Sequence, residues 1–153
     1  QGEYSKAQDL YHQSLAIFRE LGDKHSTATT LHNLGTLAHS QSEHSVAHEC
    51  FKEALMISEE INYLLLMRMI LQDLAILIVD HPQDEYVLLL HSHTLSYALL
   101  TQDEEMAKES CRALHELART GNRDVVREYL NDALRFLDEE SRERLIAGIL
   151  NEE

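Results

Sequence analysis

The chain has 153 residues, and 44% of them are hydrophobic, which is enough for one substantial core and excludes a largely disordered chain. Its 27 acidic and 13 basic residues give a formal net charge of −14, which repels nucleic-acid phosphates and anionic membrane surfaces and argues against both as partners. The two cysteines, Cys50 and Cys111, fit no short metal or redox spacing, which excludes a disulfide scaffold and predicts a reducing, cytoplasmic setting.

Helices are the expected secondary structure along the whole chain. Apolar residues recur at three- and four-residue spacing almost throughout, and the chain has one Pro and five Gly. This pattern predicts an all-α fold of about eight helices. They are expected near residues 4–21, 24–40, 43–60, 62–80, 84–100, 103–119, 122–138 and 141–150.

The first predicted helix starts inside a repeat motif, with no initiator Met or signal sequence before it. Gly2, Tyr4, Ala7 and Leu15 look like the second half of a repeat whose first helix is missing. We therefore expect a fragment of a longer protein. The end left open by the missing helix would offer an apolar face for self-association.

The sequence repeats itself. A shift of 40 residues aligns Leu15 with Leu55 and Leu95, and Leu31 with Leu71. Self-similarity at a fixed period indicates stacked units, each of which buries an apolar face against its neighbour.

Small residues in the unit 24–61 allow two antiparallel helices to approach closely, and Phe51 is expected to fill the space between helix pairs. Eight positions of this unit resemble the tetratricopeptide repeat signature, namely Leu31, Leu34, Gly35, Ala38, Ala47, Phe51, Ala54 and Leu55. The resemblance implies a right-handed superhelical solenoid of antiparallel helix pairs that binds a protein or peptide. The long period is similar to that of arrays in kinesin light chains and in bacterial multidomain signalling ATPases and transcriptional regulators.

The repeat pattern predicts one domain over residues 1–153. Its expected parts are the second half of a truncated repeat (1–23), a repeat (24–61), a degenerate repeat (62–102), a repeat (103–139) and a capping helix (140–153). The unit 62–102 is degenerate because Ala75, Val87 and His91 replace the residues that fit the signature.

The first helix of each pair lines the concave surface of such a solenoid. In the unit 24–61 this face is polar, and its residues are Thr29, His32, Asn33, Thr36, His39 and Ser40. In the family that the unit resembles, an Asn at the position of Asn33 bonds the backbone of an extended peptide. The alternative is that Asn33 is merely hydrated or bonds a neighbouring helix.

The most apolar stretch, residues 63–79, is predicted to be a buried helix, because charged residues within it argue against a membrane span. Its groove-facing positions are Met69, Gln72, Asp73, Ile76, Val79 and Asp80. A partner would cover the apolar members of this set. Tight curling of the array or missing flanking residues would cover them equally well.

Lys108, Arg112, His115 and Arg119 form a basic stripe in the fourth unit. The spacing of Lys108 and Arg112 resembles half of a carboxylate clamp. Glu105, Glu109 and Glu116 lie three or four residues from these bases, however, so ordinary surface ion pairs are the alternative.

The ten histidines form no recognisable metal motif. His44 and His48 share a helix face, but Cys50 points elsewhere, so no metal or other cofactor is expected. His25, His32 and His39 recur every seven residues as a polar stripe. No phosphate-binding loop or nucleophile elbow is present, so the chain is not expected to be an enzyme.

The sequence therefore predicts a scaffold that binds a protein or peptide. The expected contact residues are His32, Asn33, Thr36, His39, Met69, Asp73, Ile76, Lys108, Arg112 and His115. The alternative is an intramolecular regulatory arm that restrains an attached ATPase, protease or DNA-binding domain.

Overall fold

A computed structural model describes residues 2–151, and the whole of this range is α-helical or turn, without strands. The eight helices are α1 (Gly2–Leu21), α2 (Lys24–Ser40), α3 (His44–Glu60), α4 (Leu64–Asp80), α5 (Asp84–Thr101), α6 (Glu104–Thr120), α7 (Arg123–Ala133) and α8 (Glu139–Leu150). They form two compact units, one ending at His81 and the other beginning at Pro82. The all-α prediction is confirmed.

In the first unit, α2 packs closely against α3, while α1 packs on α2 and α3 packs on α4. The close approach of α2 and α3 depends on Gly35. A Cβ atom placed there would lie 2.6 Å from Cε1 of Phe51, whose side chain is completely buried. The predicted role of Gly35 in the close approach of two helices is therefore confirmed, whereas the filling of the space between helix pairs by Phe51 stays a prediction.

The apolar positions that repeat every 40 residues are core positions. Leu15, Leu55 and Leu95 are all buried, and so are Leu31 and Leu71. Each of these leucines falls on a helix face that a neighbouring helix covers, which is why the spacing of the repeat is visible in the sequence.

In the second unit, α5 packs on α6 and α7, and α8 packs on both α6 and α7. The largest completely buried side chains of this unit are those of Leu89, Leu95, Leu114, Leu130, Leu134 and Ile146. The unit boundary at residue 81 lies inside the segment 62–102 that the sequence predicts to be one repeat. That division into repeats stays a prediction.

The predicted helix boundaries agree with the structure within three residues except at one place. The seventh helix, expected to reach residue 138, ends at Ala133. The chain turns at Leu134 to Leu137, and Asp138 then caps α8 by accepting a hydrogen bond from the backbone N–H of Ser141 at 2.9 Å. The expectation was wrong because Leu134 is buried and continues the apolar pattern after the helix has ended.

Aspartate caps begin two of the long helices. Asp23 accepts a hydrogen bond from the backbone N–H of Ser26 at 3.0 Å at the start of α2. Asp103 does the same for Met106 at the start of α6. Hydrogen bonds from Ser26 hold the pKa of Asp23 below its ordinary value.

The cap at Asp23 gives a pH prediction. Because the pKa is lowered in the folded state, the stabilisation is present above the ordinary carboxyl pKa and is lost as the pH falls through the lowered value. The amide oxygen of Asp23→Asn accepts the same hydrogen bond at every pH. We therefore expect the melting temperature of the wild type to fall relative to that of Asp23→Asn below about pH 4. Parallel thermal melting curves across the acid range would contradict this assignment.

None of the helices found between residues 2 and 151 is both long enough and apolar enough to span a membrane. The apolar stretch 63–79 forms α4, which buries one side, including Met67, Ile70 and Leu74, and leaves another side exposed.

Candidate partner-binding surface

Two histidine–aspartate pairs join α2 to α4 within the first unit. Nε2 of His32 lies 2.7 Å from Oδ2 of Asp73, and Nε2 of His39 lies 3.0 Å from Oδ2 of Asp80. A carboxylate can only accept, so the ring nitrogens donate. The partners advance by seven residues on both helices, so α2 and α4 run in the same direction, side by side and in register.

The three histidines of the polar stripe on α2, His25, His32 and His39, thus contact other residues of the chain. The ring of His25 stacks on that of Tyr63 with centroids 4.3 Å apart, and His32 is buried beside Phe51. The sequence predicts His32, His39 and Asp73 as partner contacts. In the structure, the hydrogen bonds of these side chains join α2 to α4.

Asn33 and Thr36 lie beside this seam on α2. Asn33 is half-buried, and its side-chain amide forms no hydrogen bond with any residue of the range 2–151. Thr36 is exposed, and its hydroxyl donates to the carbonyl oxygen of His32 at 3.1 Å. Of the two alternatives for Asn33, a bond to a neighbouring helix is therefore not observed.

An apolar stripe runs along the exposed side of α4. Leu65, Met69, Ile76 and Val79 are 56%, 42%, 54% and 82% exposed. Their spacing of three, four or seven residues puts them on one helix face, next to the positions that bond α2. The predicted contact residues Met69 and Ile76 are thus accessible and adjacent. We call Asn33, Thr36, Met69, Ile76 and Val79 the α2–α4 surface.

The remaining predicted contacts, Lys108, Arg112 and His115, lie on α6 in the second unit. Lys108 forms the ordinary ion pair expected as the alternative, with Oε1 of Glu105 at 3.0 Å. His115 Nδ1 lies 2.8 Å from the carbonyl oxygen of Ile149 on α8. Arg112 is exposed and has neither an ion pair nor a hydrogen bond among the residues described.

The sequence predicts α8 only as a capping helix. Arg144, Leu145 and Ile149 of this helix line a cavity together with Arg112 and His115. The charged first half and the apolar second half of α8 carry no sign that α6 is its neighbour.

The histidines and cysteines form no metal centre. No group of three or more His, Cys, Asp or Glu side chains within residues 2–151 could hold a metal ion. His44 stacks on His81 with centroids 4.5 Å apart, whereas His48 is buried. Burial raises the pKa of the Cys50 thiol to about 11, so this cysteine is unreactive near neutral pH.

Comparison with known proteins identifies the first part of the chain. The family model described as tetratricopeptide repeat matches residues 1–60. No curated protein and no solved structure gives a significant match to the chain. The matched residues include α1, α2 and α3, with the Gly35–Phe51 contact that lets two helices pack closely. Over its first 60 residues the chain is therefore similar to the tetratricopeptide repeat family.

Proposed function

We propose that the chain is a protein-interaction scaffold and that the α2–α4 surface of its first unit binds a segment of a partner protein. The observation that carries the proposal is the exposed apolar stripe of α4, which lies beside a polar edge on α2. Repeat proteins of stacked helix pairs commonly bind partners along such faces.

The apolar half of the surface supplies the driving force. Soluble proteins seldom leave a contiguous apolar patch in water, and larger patches mark interaction sites. Met69, Ile76 and Val79 are each more than two-fifths exposed and follow one another along a single helix. Apolar side chains of a partner would bury them.

The polar half supplies specificity. An Asn amide offers both a donor and an acceptor, which matches the backbone of an approaching segment. The amide of Asn33 has no hydrogen-bond partner among the described residues and is already partly desolvated. The His32–Asp73 bond keeps Asn33 at a fixed distance from the stripe on α4, so the surface is preorganised.

The test is affinity capture followed by a binding titration with the captured partner. A charge at a position that becomes buried opposes binding, because the carboxylate must lose its water without a compensating bond. Ile76→Asp is therefore expected to weaken binding by about tenfold, and Asn33→Ala by a smaller factor.

Ile17→Asp is the matched control, because Ile17 on α1 is 55% exposed and Ile76 is 54% exposed. It should bind the partner as the wild type does. Loss of binding in Ile17→Asp but not in Ile76→Asp would move the interface to α1, which also exposes Leu10 and Leu21 and is the expected site of self-association. Melting temperatures of all variants establish that each is folded.

A further inference from the structure

A cavity of about 640 Å³ lies between α6 and α8 in the second unit. Its walls come from both helices and from the residue that follows α8. The lining residues are Cys111, Arg112, His115, Ser141, Arg144, Leu145, Gly148, Ile149 and Asn151. Its volume falls within the range of small-molecule sites, which is about 300 to 1,000 Å³.

Within residues 2–151, the charged groups of this lining are all basic. Arg112 and Arg144 contribute guanidinium groups, and none of the lining residues in this range is Asp or Glu. This is unusual in a chain whose formal net charge is −14. A cavity of this charge is complementary to an anion.

Both guanidinium groups are able to donate hydrogen bonds to an added anion. Arg112 has no ion pair with any described residue, and the nearby Glu116 instead takes two hydrogen bonds from Arg119, at 2.9 and 2.6 Å. Arg144 bonds Glu140, but both side chains are more than three-quarters exposed, so solvent screens that pair.

The rest of the lining is apolar or neutral. Leu145 and Ile149 are aliphatic, and burial raises the pKa of the Cys111 thiol, so it carries no charge near neutral pH. His115 donates from Nδ1 to the carbonyl oxygen of Ile149, because a carbonyl can only accept. A Cβ atom at Gly148 would meet nothing within 4 Å, so the wall is open at this point.

We propose that this cavity binds a small aliphatic carboxylate, with the carboxylate at Arg112 and Arg144 and the aliphatic body over Leu145, Gly148 and Ile149. A guanidinium matches a carboxylate with parallel hydrogen bonds. The volume accommodates a complete small molecule, and the proposed ligand is therefore a free acid. The site belongs to the second unit and does not depend on the α2–α4 surface.

Isothermal titration calorimetry of the full chain with octanoate tests the proposal. Octanoate is expected to bind at one site, and octylammonium, which has the same aliphatic length and the opposite charge, about tenfold more weakly or not at all. Arg112→Gln is expected to weaken octanoate binding by about tenfold. Arg123→Gln, which removes an exposed Arg outside the cavity, should leave it unchanged.

Gly148→Leu is the second variant, because its side chain would enter the open part of the cavity. It should abolish octanoate binding without lowering the melting temperature, since no atom of the protein lies within 4 Å of the added Cβ atom and the rest of the side chain extends into the cavity. The proposal is overturned if octanoate does not bind, if octylammonium binds equally well, or if Arg112→Gln binds as the wild type does. Tighter binding of a Leu-terminated peptide than of octanoate would likewise overturn it in favour of a peptide site.

Discussion

Gly35→Ala is expected to destabilise the protein by about 2 kcal/mol, although Ala is the better helix former. The new Cβ atom would lie 2.6 and 2.7 Å from two ring carbons of Phe51 and 3.3 Å from Cβ of Cys50. Phe51 has no exposed surface and cannot swing away, so α2 and α3 must separate. Urea denaturation followed by circular dichroism measures the change.

The same substitution at Gly148 is the control. Gly148 is also inside a helix, but its added Cβ atom has no neighbour within 4 Å. Gly148→Ala should therefore stabilise the protein by about 0.5 to 1 kcal/mol through helix propensity alone. Adding Phe51→Leu to Gly35→Ala should recover part of the loss, because the smaller side chain makes room. Equal effects of the two Gly→Ala changes would contradict the close-packing argument.

Asp73→Ala is expected to cost about 2 kcal/mol, because it leaves the nearly buried ring of His32 without its hydrogen-bond partner. The corresponding change at Asp80 should have little effect, since Asp80 is more than half exposed and lies at the end of α4, where a negative charge is unfavourable. Urea denaturation of both variants makes the comparison.

A double-mutant cycle separates the interaction energy between His32 and Asp73 from the effects of each substitution on its other neighbours. His32→Ala and Asp73→Ala, combined, should be less destabilising than the sum of the single changes, with a coupling energy of about 1 kcal/mol or more. Strict additivity would show that the 2.7 Å contact contributes nothing to the packing of α2 beside α4.

The helices could be read from the sequence because their signals are local. Apolar periodicity places most helix ends within three residues of the observed positions. The turns between the helices are harder to predict from the sequence than the helices themselves. Gly22 has the positive φ that its type favours, at 67°, and Asn62 belongs to a type that tolerates positive φ. Ser42 and Gln102 adopt positive φ as well, and nothing local marks them.

Between residues 22 and 102 these turns recur every 20 residues except at position 82, which is Pro. Proline has a fixed negative φ and cannot form this turn. The division between the two compact units falls immediately before it. Pro82 can be seen in the sequence, but the 20-residue period of positive-φ turns that it interrupts is seen only in the backbone geometry.

The sequence by itself determined the all-α fold, the repeat period, the need for a small residue at Gly35 and the positions of Asn33, Met69 and Ile76 on one side of two helices. All of these follow from local propensity and from spacing along the chain. Only the tertiary structure decided that His32 and Asp73 bond each other and that Arg112 and Arg144 line the same cavity. The physical reason is that these contacts join helices distant in sequence, and their geometry depends on how the cores between the helices pack.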